Sequence, residues 1–384
     1  MVELSLTRVG PASFTPHRPT PNVTDELLIY GSYGYTGALV AQTAVDEGMT
    51  PVLAGRTAEK VERQATDLGL DHRVFSLQHP EVIERTLADF EAVLNCAGPF
   101  SATAEPMYSA CMRAGTDYLD ITGEIDALEQ LAERDRDAEE TDVTLLPAVG
   151  FDVVPTDCLA GYLATELPSA TSLTLAIDGM GTFSPGTAKS IVEGLTRPGA
   201  VRQDGEIRTV PPAWKRRLLD FGQGPKSAVT IPWGDVSSAY YTTGIGNIET
   251  YATVPEFAAD VMAKTEPLAP IFGSKPVQSL LKSVIDATVS GPTAEERAQS
   301  SARVWGEVED DDGNRFAARM RTPDTYDLTA QTAVETARRV VAGEVESGYQ
   351  TPASAFGPEF ALEFDGVERE DVSEFSDVGV SVET

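Results

Sequence analysis

From residue 26 to about residue 147, short apolar runs alternate with stretches whose apolar positions recur every three or four residues. The first pattern predicts strands and the second predicts helices. The predicted strands are 26–30, 51–54, 73–76, 92–95, 118–121 and 143–146, and the predicted helices are 38–47, 59–68, 80–87, 104–114 and 125–139. Repeated strand–helix units are typical of a doubly wound parallel sheet with helices on both faces, so we expect a Rossmann-type α/β fold.

After Pro155 the pattern changes. A helix at 157–166 precedes the alternating residues 171–178, which predict a half-buried strand. Two further strands, at 304–308 and 315–321, flank an acidic Asp-Gly turn and predict a hairpin. The remaining elements are a strand at 251–254 and helices at 255–264, 277–287 and 328–342. This mixture predicts a second, α+β domain whose strands are mostly antiparallel.

These patterns divide the chain into five parts. We expect a loose N-terminal extension, a dinucleotide-binding domain, an α+β domain for substrate and dimer contacts, a helix with a return segment that packs on the first domain, and an acidic tail. Their bounds are 1–24, 25–154, 155–327, 328–357 and 358–384.

A glycine-rich turn follows the first predicted strand directly and leads into the first helix. Glycine allows the sharp backbone turn and the close approach of a diphosphate, and the helix N-terminus favours an anion. The strand before the turn and the helix after it favour a coenzyme site over an ordinary turn. The residues expected to bind the coenzyme here are Gly31, Ser32, Tyr33, Gly34, Tyr35, Thr36 and Gly37.

Arg56 stands at the end of the second predicted strand. NAD-binding domains usually place Asp or Glu here, on the ribose 2′-hydroxyl. A guanidinium instead suits a 2′-phosphate, which favours NADP(H) over NAD(H). The alternative is an ordinary solvent-facing arginine.

A third segment, residues 94–100, ends the fourth strand with small residues and a Gly-Pro pair. Ala97, Gly98 and Pro99 would leave room for the nicotinamide half of the coenzyme at the sheet edge. The same residues are also compatible with a simple tight turn.

These three segments, together with 118–124, 150–157 and 348–357, resemble the saccharopine dehydrogenase-like oxidoreductases, and more closely the branch with trans-acting enoyl reductases. The resemblance covers about residues 27–357. It implies an NADP-type Rossmann domain, a second α+β domain that often makes dimer contacts, and a cleft between them. Formation of saccharopine itself would need several basic groups, and the second domain offers only Arg216, Arg217 and Arg303 as candidates. Aromatic residues around Trp233 and Tyr240–Tyr241, with the Gly-rich stretch 179–186, can be read as an apolar substrate pocket or as core and turns.

Hydride transfer to a substrate also needs a proton donor. The candidates at the predicted sheet edge are Tyr118, Asp120 and Asp152, with Glu124 as a further carboxylate. Each also has a structural interpretation, in packing, helix capping or turn formation. The histidines at 17, 72 and 79 lie in the N-terminal extension or in predicted surface loops, so histidine catalysis is not expected. The three cysteines lack metal-ligand spacing, so we expect reduced thiols and no metal site.

The net charge of the chain indicates which partners and which cellular environment suit the protein. The chain has 29 Lys and Arg against 60 Asp and Glu, a net charge of −31 spread along its length. Such a surface repels nucleic acid and suits a cytoplasm whose salt screens the carboxylates, which predicts a halophilic protein. No apolar run is long enough for a transmembrane segment, and residues 1–24 lack the apolar centre of a signal peptide, so we expect a cytoplasmic protein.

The sequence thus predicts an NADP-dependent oxidoreductase that reduces an activated, enoyl-type double bond of a small apolar or lipid-like substrate, and that can form a homodimer. A carbonyl or imine reductase of the same fold is one alternative. A non-catalytic NADP-binding scaffold is the other.

Overall fold

Strands and helices alternate through the first part of the chain. The computed structural model describes residues 26–179, 181–194, 198–254 and 274–372. The elements up to residue 146 are β1 (Leu27–Tyr30), α1 (Tyr35–Asp46), β2 (Val52–Gly55), α2 (Ala58–Leu68), β3 (His72–Val74), α3 (Pro80–Leu87), β4 (Ala92–Asn95), α4 (Phe100–Ala114), β5 (Asp117–Asp120), α5 (Ile125–Ala132), α6 (Asp135–Thr141) and β6 (Thr144–Leu146).

The second part contains more strands than helices. Its elements are α7 (Val154–Glu166), β7 (Ser172–Asp178), α8 (Pro185–Gly194), β8 (Gly199–Gln203), β9 (Glu206–Val210), β10 (Arg216–Asp220), β11 (Pro225–Thr230), α9 (Asp235–Thr243), β12 (Asn247–Thr253), α10 (Lys275–Thr288), α11 (Ala294–Gln299), β13 (Ala302–Glu309), β14 (Arg315–Thr322), α12 (Thr325–Val341), β15 (Gly348–Tyr349), α13 (Pro352–Phe356), a 3-10 helix (Phe360–Glu363) and β16 (Glu368–Asp371).

The first sheet has seven parallel strands in the order β15-β6-β5-β4-β1-β2-β3. Buried apolar residues of α3–α6 cover one face of it, and those of α1, α2 and α12 cover the other. Each fully buried large apolar side chain contributes about 1.5–3 kcal/mol to folding. Because all strands run the same way, their carboxyl ends meet at one edge. The predicted Rossmann-type fold is confirmed.

The second sheet is mixed, in the order β10-β11-β12-β7-β13-β14-β16, and β8 and β9 extend it beside β12. The β12–β7 pair is parallel and the other pairs are antiparallel, as expected. Helix α7 packs on its inner face. Gly306 makes room for this helix, since a Cβ there would lie 2.6 Å from a terminal methyl of Leu163.

Several elements differ from the sequence-based predictions. The helix expected at 125–139 is two helices, since α5 ends at Ala132 and α6 begins at Asp135. Helix α1 begins three residues earlier than expected and α4 begins four residues earlier, because each follows the short loop after β1 or β4 directly. His72 lies in β3 and not in a loop. The predicted strand at 251–254 is the end of the longer β12.

The C-terminal part also needs a correction. Helix α12 packs against α1, and β15 pairs with β6. The predicted acidic tail, 358–384, begins with structure instead, since it contains the 3-10 helix and β16, which pairs with β14. Apolar Phe360 and Ala361 anchor this segment in the core of the second domain. The N-terminal extension 1–24 and the helix predicted at 255–264 lie outside the described residues, as do residues 373–384.

Candidate active site

The glycine turn after β1 brings three strand ends into contact. Gly31 has a φ of +79°, and a Cβ at this position would lie 2.8 Å from the Cβ of Ala97, at the end of β4. At Gly37 a Cβ would lie 2.3 Å from the carbonyl oxygen of Gly31. The Gly31 amide donates to the carbonyl of Ala54 in β2 at 2.8 Å. Any side chain at these two glycines would therefore push the turn open.

Helix α1 opens from this turn with unsatisfied amides. Gly34 precedes the helix, and no side chain caps its N-terminus. The first-turn N–H groups, which include those of Tyr35, Thr36 and Gly37, have no partner within a helix, and the helix dipole favours an anion there. Ser32 is fully buried and its hydroxyl lies 3.4 Å from the Ala54 carbonyl, so its side chain holds the turn. This arrangement fits a diphosphate.

Beside the turn, the end of β2 presents cations. The Tyr33 ring lies over Gly55, where a Cβ would be 2.5 Å from Cε1, and its hydroxyl donates to Thr57 at 3.2 Å. The Lys60 ammonium lies 5.6 Å from the centroid of the same ring. Arg56 is exposed and makes no salt bridge or hydrogen bond within the described residues. Lys60, which the sequence patterns did not single out, joins Arg56 as a candidate for a 2′-phosphate.

Side-chain hydrogen bonds stabilise the turn after β4. The side-chain oxygen of Asn95 accepts from the Ala97 amide at 3.0 Å, and Thr103 donates to the Ala97 carbonyl at 2.6 Å. The Gly98–Pro99 peptide bond is cis, and Pro99 precedes α4 directly.

Glu124 neutralises the start of α4. Its two carboxylate oxygens accept from the amides of Phe100 and Ser101 at 2.8 and 2.9 Å. The carboxylate therefore caps the preceding helix α4, whereas the sequence suggested a role at the following helix. Because Glu124 already accepts from the first amides of α4, the start of this helix is not a second anion site.

Tyr118 and Asp120 lie at the end of β5 and bind each other. The Tyr118 hydroxyl donates to Asp120 at 2.7 Å, and the amides of Thr122 and Ala148 donate to the same carboxylate at 2.9 Å each. Both side chains are fully buried. Burial raises the pKa of Asp120 to about 6 and that of Tyr118 well above its usual range. This pair joins the ends of β5 and β6.

Asp152 has a different environment. It lies in the loop before α7, partly exposed, and a Cβ on Gly123 would be 3.0 Å from its Oδ2 atom. Within the described residues no hydrogen bond reaches its carboxyl group. Burial alone raises its pKa to about 6. Asp152 thus joins Tyr118 and Asp120 at the sheet edge, but its carboxyl group is uncommitted.

Helix α9 of the second domain closes over this edge, and further carboxyl groups lie beneath it. Asp157 accepts from Thr242 at 2.5 Å and from the Ala353 amide at 2.8 Å, and burial raises its pKa to about 6. Asp235 accepts from Thr156 at 2.8 Å, while its Oδ1 atom is buried with no hydrogen-bond partner among the described residues. Burial raises the pKa of Asp235 well above its usual range, and repulsion from Asp157 adds to this. The contact between the domains is therefore rich in buried carboxyl groups.

The aromatic residues proposed as a pocket divide into two groups. Trp233 is partly buried against the core of the second domain, and its indole N–H is buried without a partner. Tyr240 packs on the guanidinium of Arg202 at 4.2 Å, and Tyr241 packs on Tyr349 at 5.2 Å. The two tyrosines therefore take part in the joint between the domains. In the stretch 179–186, Met180 lies outside the described residues.

Arg202 is the centre of that joint, and no pattern in the sequence singled it out. Its side chain is 3% exposed, donates to the carbonyls of Val236 and Gly205 at 2.8 and 2.7 Å, and pairs with Glu129 of α5 at 2.5 Å. Ser237 also donates to Glu129, at 2.6 Å. This buried ion pair fixes α9 against the first domain. Of the arginines considered for a basic substrate site, Arg217 pairs with Glu307 and Thr174 and is thus already neutralised.

The described residues contain no group of three His, Cys, Asp or Glu side chains placed to hold a metal ion, and no helix among them is long and apolar enough to cross a bilayer.

The comparisons with known proteins agree with this geometry. The family model for the saccharopine dehydrogenase NADP-binding domain matches residues 27–146. Those residues are therefore similar to that coenzyme-binding domain. The resemblance inferred from the motifs is thereby confirmed, and the family's coenzyme agrees with the preference for NADP(H).

Curated relatives extend the similarity over part of the chain. A trans-acting enoyl reductase of Mycobacterium tuberculosis is 31% identical over 140 residues, 34% of this chain and 34% of that protein. A saccharopine dehydrogenase-like oxidoreductase of Bos taurus is 29% identical over 226 residues, 50% of this chain and 52% of that protein. The matches thus span about a third to a half of these relatives.

A solved structure extends the likeness to the fold of both domains. The apo saccharopine dehydrogenase (L-Glu forming) of Saccharomyces cerevisiae has a TM-score of 0.61 and 12% identity, and the match covers 91% of this chain and all of that one. At this identity the likeness concerns the fold alone.

Proposed function

We propose that the protein is an NADP-dependent oxidoreductase that reduces an activated, enoyl-type double bond of an apolar or lipid-like small molecule. The observation that carries the coenzyme part is the glycine turn with the start of α1, next to the exposed Arg56, which makes no ion pair within the described residues, after β2. The diphosphate would lie on the amides of residues 35–37, and Arg56 with Lys60 would hold the 2′-phosphate. Ala97–Pro99 would border the nicotinamide half.

The coenzyme, when bound, supplies the hydride, and the chain must supply a proton and exclude water. Asp152 is the proposed proton donor. Its carboxyl group has no partner among the described residues, and a pKa of about 6 lies near neutral pH, where a general acid works best. Tyr118 and Asp120 are proposed to act behind it, because their own hydrogen bonds hold the ends of β5 and β6 in place.

The enoyl part of the proposal is supported by the relatives' names and by the partly buried Trp233, whose neighbour Gly234 lies close to Val153 and Gly123. A second candidate, reduction of an imine, is favoured by a different observation. Asp157 and Asp235 are buried where the domains meet, with the partly exposed Asp152 nearby, and a carboxyl group that loses its proton beside a positively charged iminium carbon would stabilise it more than a neutral enoyl carbon.

The coenzyme assignment is tested by measuring NADPH and NADH binding to the wild type and to Arg56→Asp by nucleotide fluorescence. We expect the replacement to weaken NADPH by about 100-fold, since it replaces a charge-assisted pair with repulsion, and to change NADH by less than about threefold. Arg63→Asp, an exposed change on α2, is the matched control for the added negative charge. Equal losses for both coenzymes would contradict a phosphate role for Arg56.

The reaction is tested by a substrate screen that follows the loss of reduced-nicotinamide absorbance. Turnover of enoyl thioesters supports the first candidate, and turnover of cyclic imines supports the second. Tight NADPH binding without turnover of any enoyl, carbonyl or imine compound would indicate a scaffold instead.

We further propose that the protein works in a salt-rich cytoplasm and as a homodimer. The net charge of −31 supports the first part of this proposal. Sedimentation at high salt tests the second, because a single species at the mass of one chain would refute it.

A further inference from the structure

Tyr35 connects the glycine turn to a distant segment of the second domain. It is the first residue of α1, and its hydroxyl donates to the carbonyl of Pro292 at 2.6 Å. The same hydroxyl accepts from the guanidinium of Arg297 at 3.1 Å. Gly291 lies directly on the ring, where a Cβ would be 2.6 Å from the ring carbons. The segment 291–297 is therefore seated on this one side chain.

The opposite side of the ring is also occupied. Tyr326, at the start of α12, packs edge-on against Tyr35 with the ring centroids 5.0 Å apart. Its own hydroxyl accepts from the Ser184 amide at 2.6 Å. Arg297 pairs with Asp327 at 2.6 Å, so the cation that binds Tyr35 is itself tied to α12. Three segments that are distant in sequence thus meet at Tyr35.

We propose that Tyr35 is a positioning residue that couples coenzyme binding to the docking of residues 290–297 on the first domain. This rests on the proposed coenzyme site. The backbone N–H of Tyr35 belongs to the first turn of α1, where the diphosphate would bind, and its side chain holds the second-domain segment. An anion that fixes this backbone also restrains the ring, and by linkage the docked segment strengthens anion binding by the same factor.

The segment 290–297 is directly connected to the second sheet. It continues through α11 into β13, which lies between β7 and β14 in the second sheet. Fixing residues 290–297 therefore restrains the point at which the chain enters β13 of the second sheet.

Hydrogen exchange of peptides covering 290–299, with and without NADPH, tests the coupling in the full-length protein at high salt. In the wild type we expect NADPH to slow exchange there by about tenfold. In Tyr35→Phe, which keeps the ring and loses both hydroxyl bonds, the slowing should fall below about twofold and the NADPH Kd should rise about fivefold. Tyr162→Phe is the matched control, because it also removes one tyrosine hydroxyl bond, to Asp371, far from the turn.

Arg297→Lys gives a second, independent variant. It keeps the charge near Asp327 but loses the forked contact with Tyr35 and Pro292, so it should reduce the exchange response in the same direction. If NADPH binds the wild type without slowing exchange at 290–299, or if Tyr35→Phe responds like the wild type, the coupling is refuted and the coenzyme site stands. If the wild type binds no NADPH, the proposed coenzyme site itself is refuted.

Discussion

Replacing Asp152 by Asn should make the protein more stable at neutral pH and less active. The carboxyl group of Asp152 is largely removed from water, and no hydrogen bond within the described residues compensates its charge. An amide of the same shape carries no charge and loses no partner. A residue that lowers the free energy of unfolding and makes no hydrogen bond that stabilises the fold is a candidate for a functional role.

The magnitude follows from the pKa. Burial raises the pKa of Asp152 from 3.8 to about 6, so the folded state binds the proton more tightly than the unfolded state. Its contribution is therefore favourable in acid and is lost as the pH rises through about 4–6, the interval between the unfolded and folded pKa values. This difference of about two between the folded and unfolded pKa values corresponds to about 3 kcal/mol in the free energy of unfolding at pH 7. Because the side chain is partly exposed, water screens its charge, and we expect a gain of about 1–2 kcal/mol.

Urea unfolding of the wild type and of Asp152→Asn at pH 4 and pH 7, in the same high salt, measures this gain. The difference between the two proteins isolates Asp152, because changes in the overall charge affect both. The matched control is Asp120→Asn, whose pKa is also about 6. There the new amide faces the Tyr118 hydroxyl, which loses its acceptor, so we expect a loss of about 1–3 kcal/mol.

Two results would refute this reasoning. A stability of Asp152→Asn equal to the wild type at pH 7 would mean that the carboxylate is compensated. A gain that persists undiminished at pH 4 would mean that it does not come from the charge. NADPH binding should remain unchanged in Asp152→Asn, which separates a lost proton donor from a damaged coenzyme site.

Three further predictions concern other parts of the molecule. Gly37→Ala should weaken NADPH binding by at least about 100-fold while the protein stays folded, because the new methyl would lie 2.3 Å from the Gly31 carbonyl and open the turn; fluorescence titration with circular dichroism checks both effects. Arg202→Ala should cost about 2–4 kcal/mol in urea unfolding, because the partly exposed Glu129 loses its cation and the Val236 and Gly205 carbonyls lose their donor, and an unchanged midpoint would contradict the role of this pair. Lowering the salt from about 3 M to about 0.1 M should lower the melting temperature, because the Debye length grows from under 3 Å to about 10 Å and the net charge of −31 repels itself; an unchanged melting temperature would exclude salt adaptation.

Local signals in the sequence account for the first domain and for the phosphate end of its site. The strands there are fully buried apolar runs, and the glycines of the turn are required by contacts with near neighbours in the fold. The strands β8–β11 of the second domain were not predicted, because charged residues interrupt their apolar positions. Lys215 and Arg217 pair with Glu249 of β12 and Glu307 of β13, which are not adjacent to β10 in the sheet, and such pairing cannot be inferred from one segment.

The contacts that complete the site depend on topology. Tyr35 and Pro292 are 257 residues apart in sequence, and Arg202 and Glu129 are 73 apart. No periodicity in either segment indicates its partner. Only the final arrangement of the two sheets brings these residues together, which is why the turn at 31–37 was predicted and the side chains that lock it to the second domain were not.

The catalytic candidates illustrate a physical distinction that the sequence does contain. Tyr118 and Asp120 are two residues apart on one strand, so their side chains share a face and reach each other. Asp152 follows β6 by six residues, in a loop that also contacts the second domain, where no strand neighbour can bind its carboxyl group. A polar residue at the end of a strand can thus hydrogen-bond to residues of its own sheet. A polar residue in the loop beyond the strand can instead contact a ligand at the sheet edge. This difference supports the proposal that Asp152 is the carboxyl group that meets a substrate, while the pair on β5 holds the sheet edge beside it.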